Sequence, residues 1–372
     1  MIALYYRAAA ALAVLVLARL GLRPNARRDG QAEPRTWQRR KKGRVLVTGA
    51  SGFLGRAVIA AFADGGKLLR AGVRALPAAA FCDGVEVARY PDLAQSFDWR
   101  PWLKGVDTVI HLAGIEYGGR RISAATYDRI NRRGTARLAA AAAKAGVRRF
   151  VLVSSIRAQN GPVADHALTE RDAPAPTDAY GRSKRGAEEA VRSSGLAFTI
   201  LRLAPVYGPG MKGSLASLLR AAGSSWPLPV KDFANRRSYL GLDNFISALW
   251  FVLATRATIG KTYVVADPGI PPATSDLIAS IRRAQGRRPL LLPFHIRFAE
   301  APMRALKLGD LWDRYCGNLR VDPTKLIAAG WRPLHDTRAG FAAMVLNAAP
   351  PGRNVTPPVA SPAPDRPRPQ PG

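Results

Sequence analysis

A tyrosine and a lysine stand four residues apart in the stretch Tyr-Gly-Arg-Ser-Lys, at Tyr180 and Lys184. Side chains with this spacing share one face of a helix, so the phenol and the ammonium would point the same way. A nearby ammonium lowers the pKa of a phenol. Such a pair can move a proton to or from a hydroxyl while a hydride moves at the same carbon. Taken alone, the spacing is also typical of an exposed helix face.

A glycine-rich stretch, Thr48–Gly55, reads TGASGFLG and stands between an apolar run and a helical segment. Glycines there permit a tight turn, close approach of a diphosphate, and close packing of a helix on a strand. The N–H groups at the start of the helix can then bind the anion. The spacing is G-x-x-G-x-x-G, which indicates a nucleotide site only through its position in a first βα unit.

A pair of serines, Ser154 and Ser155, ends the buried run that begins at Phe150. A hydroxyl at the carboxyl end of a strand lies where open α/β sheets bind their ligands. Serines at strand ends are also common turn formers, so this pair indicates a ligand site only together with the glycine-rich stretch and the Tyr180–Lys184 pair.

The elements that must position these residues alternate along the chain. Short apolar runs predict strands, and helix-length segments separate them; the strand candidates are Arg44–Thr48, Leu68–Arg74, Gly84–Ala88, Asp107–His111, Phe150–Ser154 and Phe198–Arg202. This rhythm predicts an α/β fold with a Rossmann-type, doubly wound parallel sheet. After Pro205 the rhythm loosens, which predicts a smaller C-terminal substrate-binding lobe.

The predicted domains follow from these changes in pattern. An apolar segment and basic linker cover residues 1–43, and a nucleotide-binding domain covers 44–204. A substrate lobe covers 205–347, with some of its segments returning to the nucleotide-binding domain. A proline-rich tail, predicted to be disordered, covers 348–372.

The net charge of the 372 residues is +30, and the excess is densest in residues 1–44, with eleven basic side chains against two acidic ones. A basic surface attracts nucleic acid, anionic lipid or phosphate-bearing substrates. Elsewhere the basic residues are scattered, so we attribute most of the excess to the overall composition and do not expect nucleic acid as a partner. Cys82 and Cys316 lie far apart and form no metal or redox spacing, and no metal site is predicted.

The N-terminal segment contains an unbroken apolar run of eleven residues, Ala8–Ala18. This is shorter than the ~20 residues that span a bilayer. Three interpretations remain open: membrane-surface association through residues 1–22, a targeting peptide, or an extension from a misplaced start codon. The expected location is cytoplasmic, with membrane association only through this segment.

The order and spacing of the three groups resemble the extended short-chain dehydrogenase/reductase pattern of the NAD-dependent epimerase/dehydratase family. The resemblance covers residues 44–345. Further motifs fall in family order: Asp92-Leu93, His111–Gly114, Asn131, Gly134-Thr135, Val206–Gly210, Arg237–Tyr239, Asp243-Asn244 and Gly330–Pro333.

This resemblance implies roles for particular residues. Ser155, Tyr180 and Lys184 would form the catalytic set. The NAD(P)(H) site would comprise Gly49, Gly52, Phe53, Leu54, Gly55, Arg74, Asp92, Leu93, Leu112, Ala113, Gly114, Tyr180 and Lys184. The substrate, a nucleotide sugar, would contact Ser155, Lys212, Ser214 and Arg237, with Arg237 on its diphosphate. Relatives often carry Asn where Ser214 stands.

Two departures from the family pattern refine this expectation. NAD-binding members carry an acid at the end of the second strand, whereas Arg74 stands here, and this favours NADP(H) because an arginine can meet a 2′-phosphate. Dehydratases follow the serine with an Asp-Glu pair, whereas Ile156 and Arg157 follow Ser155 here and cannot transfer the protons of water elimination. The reactions that remain are 4-keto reduction, slightly favoured, and 4-epimerisation of a UDP-sugar for bacterial polysaccharide synthesis.

Two further questions stay open at the level of sequence. A non-catalytic NAD(P)- or RNA-binding member of the same fold is the alternative, and the intact Ser155, Tyr180 and Lys184 count against it. The helical stretches Ala124–Lys144 and Asp178–Ser194 match those that pair across a dimer in relatives, which predicts a homodimer.

Overall fold

The computed structural model describes residues 43–77, 80–117, 122–293 and 296–348. The predictions for the N-terminal apolar segment and for the proline-rich tail therefore lie outside the described residues. Among the described residues, no helix is both long and apolar enough to cross a membrane.

The centre of the fold is a seven-stranded sheet in which every neighbouring pair of strands is parallel. The described strands are β1 (Arg44–Thr48), β2 (Leu68–Val73), β3 (Val85–Arg89), β4 (Val106–His111), β5 (Arg149–Ser155), β6 (Ala167–Leu168), β7 (Phe198–Leu203), β8 (Val206–Tyr207), β9 (Leu240–Gly241), β10 (Lys261–Val265) and β11 (Arg320–Val321). The sheet order is β10-β7-β5-β4-β1-β2-β3. This confirms the predicted doubly wound α/β fold.

Helices join these strands. The described helices are α1 (Phe53–Asp64), α2 (Arg100–Leu103), α3 (Ala124–Tyr127), α4 (Gly134–Lys144), α5 (Ala179–Arg192), α6 (Gly213–Ala222), α7 (Leu242–Ala254), α8 (Thr274–Ala284), α9 (Ile296–Ala305), α10 (Gly309–Cys316), α11 (Thr324–Ala328) and α12 (Thr337–Ala348). The chain moves outward from β1 through β2 to β3, and then from β4 in the opposite direction. The order reverses between β1 and β4, and ligands of such sheets bind in the crevice at that reversal.

One predicted element differs. The alanine-rich helix expected over Ala124–Lys144 is interrupted by a π-helical turn, Asp128–Arg133, between α3 and α4. Within this turn the side chain of Asn131 accepts a hydrogen bond from Ile115 N (2.9 Å) and donates one to Ile115 O (3.1 Å). The interruption therefore lies where the helix is hydrogen-bonded to the loop after β4. Single π-helical turns within α-helices are frequent at functional sites.

A second apolar cluster lies apart from the sheet core. It includes the buried side chains of Tyr207, Leu277, Ile281 and Phe341. We call the part of the chain around this cluster, formed by α6, α8, α12 and their connecting segments, the C-terminal lobe.

Between α6 and α8 the chain leaves the lobe and returns to the central sheet. Strand β10 pairs with β7, and α7 packs on α1, where Trp250 stacks on Phe62 at 4.1 Å between ring centroids. The sheet is thus completed by β10, which follows α6 of the lobe in sequence.

Candidate active site

The glycine turn fits the close approach that a dinucleotide needs. Gly49 has a φ of 73°, and a Cβ there would lie 2.8 Å from the backbone nitrogen of Ala113. A Cβ on Gly55 would overlap the carbonyl oxygen of Gly49, so α1 packs directly on the turn. Gly52 is the N-cap of α1, and no side chain caps the N–H groups of the first turn, to which Phe53 and Leu54 belong. These groups can receive a phosphate.

The loop after β4 borders this turn. Leu112 N donates to Thr48 O at 3.2 Å, which holds the two strand ends together. Ala113 lies against Gly49, and a Cβ on Gly114 would come within 2.8 Å of Asn131 Oδ1. The structure therefore places Leu112, Ala113 and Gly114 beside the glycine turn, at the reversal of strand order.

Beneath the crevice runs a buried chain of hydrogen bonds. His111 Nδ1 lies 2.6 Å from Thr48 Oγ1, and its Nε2 lies 2.9 Å from Thr135 Oγ1, which donates to Asn131 O at 2.6 Å. Burial, and secondarily the charge of Lys184, lowers the pKa of His111 to about 3. His111 is therefore neutral at physiological pH and adds no charge to the floor of the site.

Tyr180 and Ser155 come together across the carboxyl edge of the sheet. Asp178 accepts a hydrogen bond from Gly181 N (2.7 Å) and caps α5, which fixes Tyr180 in the first turn opposite the end of β5. The hydroxyl of Ser155 lies near that of Tyr180 and favours the ionised phenol as a hydrogen-bonding neighbour. Burial raises the pKa of Tyr180 to about 12, and the Ser155 hydroxyl opposes that shift. The phenol thus keeps its proton at neutral pH.

Lys184 lies one helical turn further along α5. Its Nζ donates to Val153 O at 2.8 Å, and the residue is 9% exposed. Burial lowers the pKa of the ammonium to about 8, whereas the charge of Glu188 raises it. Lys184 therefore remains mostly charged at pH 7, with N–H groups left over for a ligand.

Glu188, which the sequence analysis did not single out, supports this pair from behind. Its carboxylate is fully buried and accepts hydrogen bonds from Ser154 Oγ (2.7 Å) and from Arg202 Nη2 (2.6 Å) and Nε (2.9 Å). Arg192 Nη2 also donates to it at 3.0 Å. The Ser154 contact ties α5 to β5, and the Arg202 contacts, strong because donor and acceptor are both charged, tie it to β7. The sequence held a signal, because Tyr180, Lys184, Glu188 and Arg192 recur every four residues.

The predicted substrate residues are more dispersed. Arg237 is 6% exposed, and its guanidinium donates to the carbonyl oxygens of Pro162 (3.2 Å), Asp313 (3.0 Å) and Gly317 (2.8 Å). Much of its hydrogen-bonding capacity is thus committed to the backbone. Lys212 is exposed immediately before α6, and Ser214 lies in the first turn of that helix.

A cluster of arginines adjoins Tyr180. The Tyr117 ring packs edge-on to Tyr180 (6.1 Å between centroids) and carries the guanidinium carbons of Arg157 and Arg314 at 5.1 Å each from its centroid. Arg157 is paired with Asp178. Within the described ranges Arg314 has no hydrogen bond or ion pair, so its positive charge is available to a ligand.

Arg314 and Arg237 also line a cavity of about 40 Å³. The remainder of its wall is largely apolar, and is formed by Pro205, Leu215, Leu218, Tyr239, Thr274 and Tyr315. The cavity thus combines two positive charges with an apolar surface.

The predicted adenosine contacts fall into two groups. Arg74 is exposed at the end of β2, and its Nη1 lies 3.4 Å from Asp92 Oδ2. Asp92 Oδ1 accepts a hydrogen bond from Ala94 N at 2.8 Å. Leu93, by contrast, is 6% exposed and packs in the sheet core, and its carbonyl oxygen accepts a hydrogen bond from Arg137.

Comparison with known proteins agrees with this geometry. Residues 45–266 match the model of the NAD dependent epimerase/dehydratase family. The chain is 27% identical over 317 residues to UDP-glucose 4-epimerase of Vibrio cholerae, which covers 82% of this chain and 95% of that protein. It is 34% identical over 212 residues to ceramide reductase of Caulobacter vibrioides, covering 56% and 60% respectively.

A solved structure, MoeE5 in complex with UDP-glucose and NAD, superposes with a TM-score of 0.63 at 25% identity, covering 82% of this chain and 97% of the other. The family match spans the glycine turn, Ser155, Tyr180 and Lys184 together. The chain is therefore an enzyme of the NAD-dependent epimerase/dehydratase family, of the extended short-chain dehydrogenase/reductase type.

Proposed function

We propose that this enzyme uses NAD(P)H to reduce the 4-keto group of a nucleotide sugar. The observation that carries the proposal is the position of Tyr180 in the first turn of α5, fixed by the Asp178 cap, where burial raises the pKa of the phenol to about 12. A phenol that keeps its proton can donate it to a ketone oxygen. A 4-epimerase must begin instead by removing a proton from a hydroxyl, which requires the phenolate.

The chain's own residues would divide the work as follows. Ser155 orients the substrate oxygen, and Tyr180 gives its proton to that oxygen. Lys184, one helical turn beyond Tyr180 and held by Val153 O, would donate to the cofactor ribose. Gly49, together with the first turn of α1, binds the cofactor diphosphate. The bound nicotinamide supplies the hydride.

The arginine cluster supports a nucleotide-sugar substrate. Arg237 and Arg314 line one cavity, and burial lowers the pKa of Arg237, with smaller contributions from the charges of Arg157 and Arg314. An anion such as a diphosphate would relieve the repulsion among these side chains. Water elimination is not expected, because Ile156 is buried and Arg157 is paired with Asp178.

We further propose a preference for NADP(H) over NAD(H). Arg74 is exposed at the end of β2, and its partner in the structure is the partly exposed carboxylate of Asp92. A guanidinium in this position can exchange that partner for a 2′-phosphate. A role in bacterial polysaccharide synthesis, a homodimer across α3–α5, a cytoplasmic location and membrane association through residues 1–22 stay predictions.

The test is to incubate the purified protein with UDP-sugars and with their 4-keto derivatives, supplying NADH and NADPH separately. Reduction predicts stoichiometric consumption of the reduced cofactor with a 4-keto sugar, faster with NADPH. Conversion of UDP-glucose into its C4 epimer without net consumption of cofactor would identify an epimerase. No turnover of any of these compounds would overturn the nucleotide-sugar proposal.

A second candidate is reduction of a ketone carried by a long-chain lipid. It is favoured by the apolar part of the cavity wall, including Leu215 and Leu218, and by the commitment of Arg237 to backbone carbonyls. The relative named ceramide reductase points to the same class of substrate. Oxidation of NADPH by a long-chain keto-amide lipid in detergent micelles, with 4-keto sugars inert, would select this candidate.

A further inference from the structure

The C-terminal lobe carries an exposed apolar face that takes no part in the site described above. Two extended segments lie side by side, joined by hydrogen bonds from Leu228 N to Leu290 O (3.0 Å) and from Leu292 N to Leu228 O (2.8 Å). The side chains of Leu228 and Leu291 pack against the lobe core.

Neighbouring side chains in extended chain point to opposite faces. Since Leu228 and Leu291 face inward, their neighbours face outward, and the exposures agree: Leu290 is 49% exposed and Leu292 51%, and both Pro227 and Pro229 are exposed. Trp226, directly before Pro227, is 79% exposed. We call these five residues the ribbon face.

Basic side chains surround the ribbon face. Arg287 donates to Ser225 Oγ (3.3 Å) beside Trp226, and Lys231 N donates to Leu292 O (3.0 Å) at the other end. The exposed basic side chains near the face are Arg220, Lys231, Arg283, Arg287 and Arg288, and none of them is paired with a carboxylate within the described ranges.

The surrounding sequence is also free of acids. No Asp or Glu occurs between Glu189 and Asp232, nor between Asp276 and Glu300. Arg220 and Arg283 lie in the last turns of α6 and α8, where a basic residue also stabilises the helix. Lys231, Arg287 and Arg288 lie outside helices, so helix stability does not account for them.

We propose that the ribbon face is a docking surface for an anionic phospholipid membrane. A tryptophan is the side chain best suited to the headgroup level of a bilayer, and leucine tips can enter the acyl boundary. Basic residues around them are attracted to anionic headgroups. Nucleic acid would satisfy the charges but would leave Leu290 and Leu292 exposed, so lipid fits the whole set better. This surface is distinct from the N-terminal segment.

The buried Arg282 fixes the shape of the surface. Its guanidinium donates to the carbonyls of Ala222 (3.1 Å), Ser224 (3.3 Å), Trp226 (2.6 Å) and Leu290 (3.0 Å). Both segments of the ribbon are thus attached to the end of α8. The ribbon face is held in place before any membrane is met, which reduces the entropic cost of docking.

The experiment uses the full chain with vesicles of phosphatidylcholine, either alone or with one part in three of phosphatidylglycerol. Wild-type protein is expected to sediment with the anionic vesicles, and less so at high salt because screening weakens the attraction. The triple variant K231Q/R287Q/R288Q should bind about a hundredfold more weakly, at about fivefold per charge. The variant W226S/L290S/L292S should lose about tenfold or more.

Two controls make the result specific to the ribbon face. Ile270→Ser removes an equally exposed apolar side chain (84%) before the opposite end of α8, and should bind vesicles like wild type. Brominated lipids should quench a fluorescence component that is missing in Trp226→Phe, which separates this face from residues 1–22. Unfolding midpoints of all variants should match wild type, since the replaced side chains are exposed.

The proposal is overturned if the ribbon variants bind anionic vesicles as tightly as wild type, or if Trp226 is not quenched. It is overturned equally if the same substitutions abolish binding to RNA or self-association while vesicle binding is unchanged.

Discussion

The sheet body, by which we mean the seven-stranded sheet with the helices packed on it, and the C-terminal lobe both bury arginines, and Arg202 of the sheet body is satisfied differently from the buried arginines of the lobe. In the sheet body the guanidinium of Arg202 meets the carboxylate of Glu188, which is itself fully buried. In the lobe, Arg282 and Arg237 are buried with no carboxylate partner among the residues that the structure describes, and they donate to backbone carbonyls instead. The difference follows from what lies beside each guanidinium, because α5 brings a carboxylate to Arg202 whereas loops of the lobe bring carbonyls that need donors to Arg282 and Arg237. Arg149 on β5 shows that the sheet body also uses the second arrangement, since it donates to two threonine hydroxyls and to Val252 O.

A buried arginine therefore has different effects when it is paired with a carboxylate and when it is bonded to backbone carbonyls. A carboxylate fixes the charge of its arginine and transmits an electrostatic effect to its neighbours, as Glu188 does to Lys184. A set of carbonyls neutralises no charge but joins several loop segments at a single point. We therefore expect substitutions in the sheet body to change chemistry, and substitutions of the lobe arginines to change folding.

The largest effect is expected from removing the proton donor in the sheet body. Tyr180→Phe should lower kcat about a thousandfold or more, since general acid catalysis contributes ~10²–10⁴. Cofactor affinity, followed by quenching of protein fluorescence, should stay nearly unchanged. The matched control is Tyr127→Phe, whose ring packs against Tyr180 at 5.7 Å between centroids. Equal losses in the two variants would remove the catalytic role from Tyr180.

The lobe side of the comparison is tested by Arg282→Met, which keeps the volume but removes every donor. Four carbonyl oxygens lose a charged donor, although Leu290 O keeps its bond from Leu228 N, so the free energy of unfolding should fall by about 3 kcal/mol or more. Urea unfolding measures this loss. Arg283→Met, at the exposed neighbouring position, should change it by less than about 0.5 kcal/mol. A stable Arg282→Met would show that these carbonyl contacts do not hold the lobe together.

A smaller effect tests whether the salt bridge in the sheet body tunes the chemistry. Ketone reduction needs Lys184 as an ammonium, so its rate should fall as pH rises through the pKa of about 8. Glu188→Gln removes a negative charge that raises this pKa, so the alkaline limb of the pH–rate profile should move to lower pH. If the pKa falls by about one unit, the ammonium fraction at pH 8 falls from about a half to about a tenth, so the rate there should drop about fivefold.

The charges around Lys184 come from several elements. His111 on β4 is neutral at these pH values, and Arg202 on β7 acts through its contact with Glu188. Glu189→Gln is the control, since Glu189 is exposed and pairs with Arg185 instead. If both variants show the same alkaline limb, then Glu188 only holds the helix in place.

The smallest expected change concerns Arg74, an exposed arginine that can exchange its carboxylate partner for a ligand. Arg74→Ser should weaken NADPH binding about tenfold and leave NADH binding unchanged, because one charge-assisted contact to the 2′-phosphate is lost. Titration of each cofactor measures the two affinities. Arg100→Ser, exposed and paired with Asp98, is the control. Equal losses for NADH and NADPH would contradict a role in 2′-phosphate recognition.

Sequence patterns predicted the sheet body well, because a parallel sheet turns local periodicity directly into structure. Six of the seven strands of the sheet agree with the predicted runs to within one or two residues, as β7 (Phe198–Leu203) shows against the predicted Phe198–Arg202, whereas the seventh, β10, was not predicted as a strand. The fold and the family membership were predicted correctly. The individual roles of the site residues are still predictions.

Long-range contacts were beyond the reach of the sequence. Nothing local to Arg237 distinguishes an arginine that binds a diphosphate from one that binds three carbonyls distant in sequence. The interruption of the helix at Asn131 depends likewise on its contact with Ile115. Glu188 could have been predicted, because the sequence shows that it stands four residues after Lys184 on the same face of α5.

The pairing of β10 with β7 bears on how this chain folds during synthesis. Until Lys261–Val265 has left the ribosome, β7 is an edge strand with unpaired backbone N–H and C=O groups. Its sequence is mostly apolar, and exposed apolar edge strands promote aggregation. A fragment that ended near residue 204 would retain the glycine turn and Tyr180 but would expose this edge permanently. The nucleotide-binding half should therefore not be separable by simple truncation, and a minimal version of it would need β10 supplied to it.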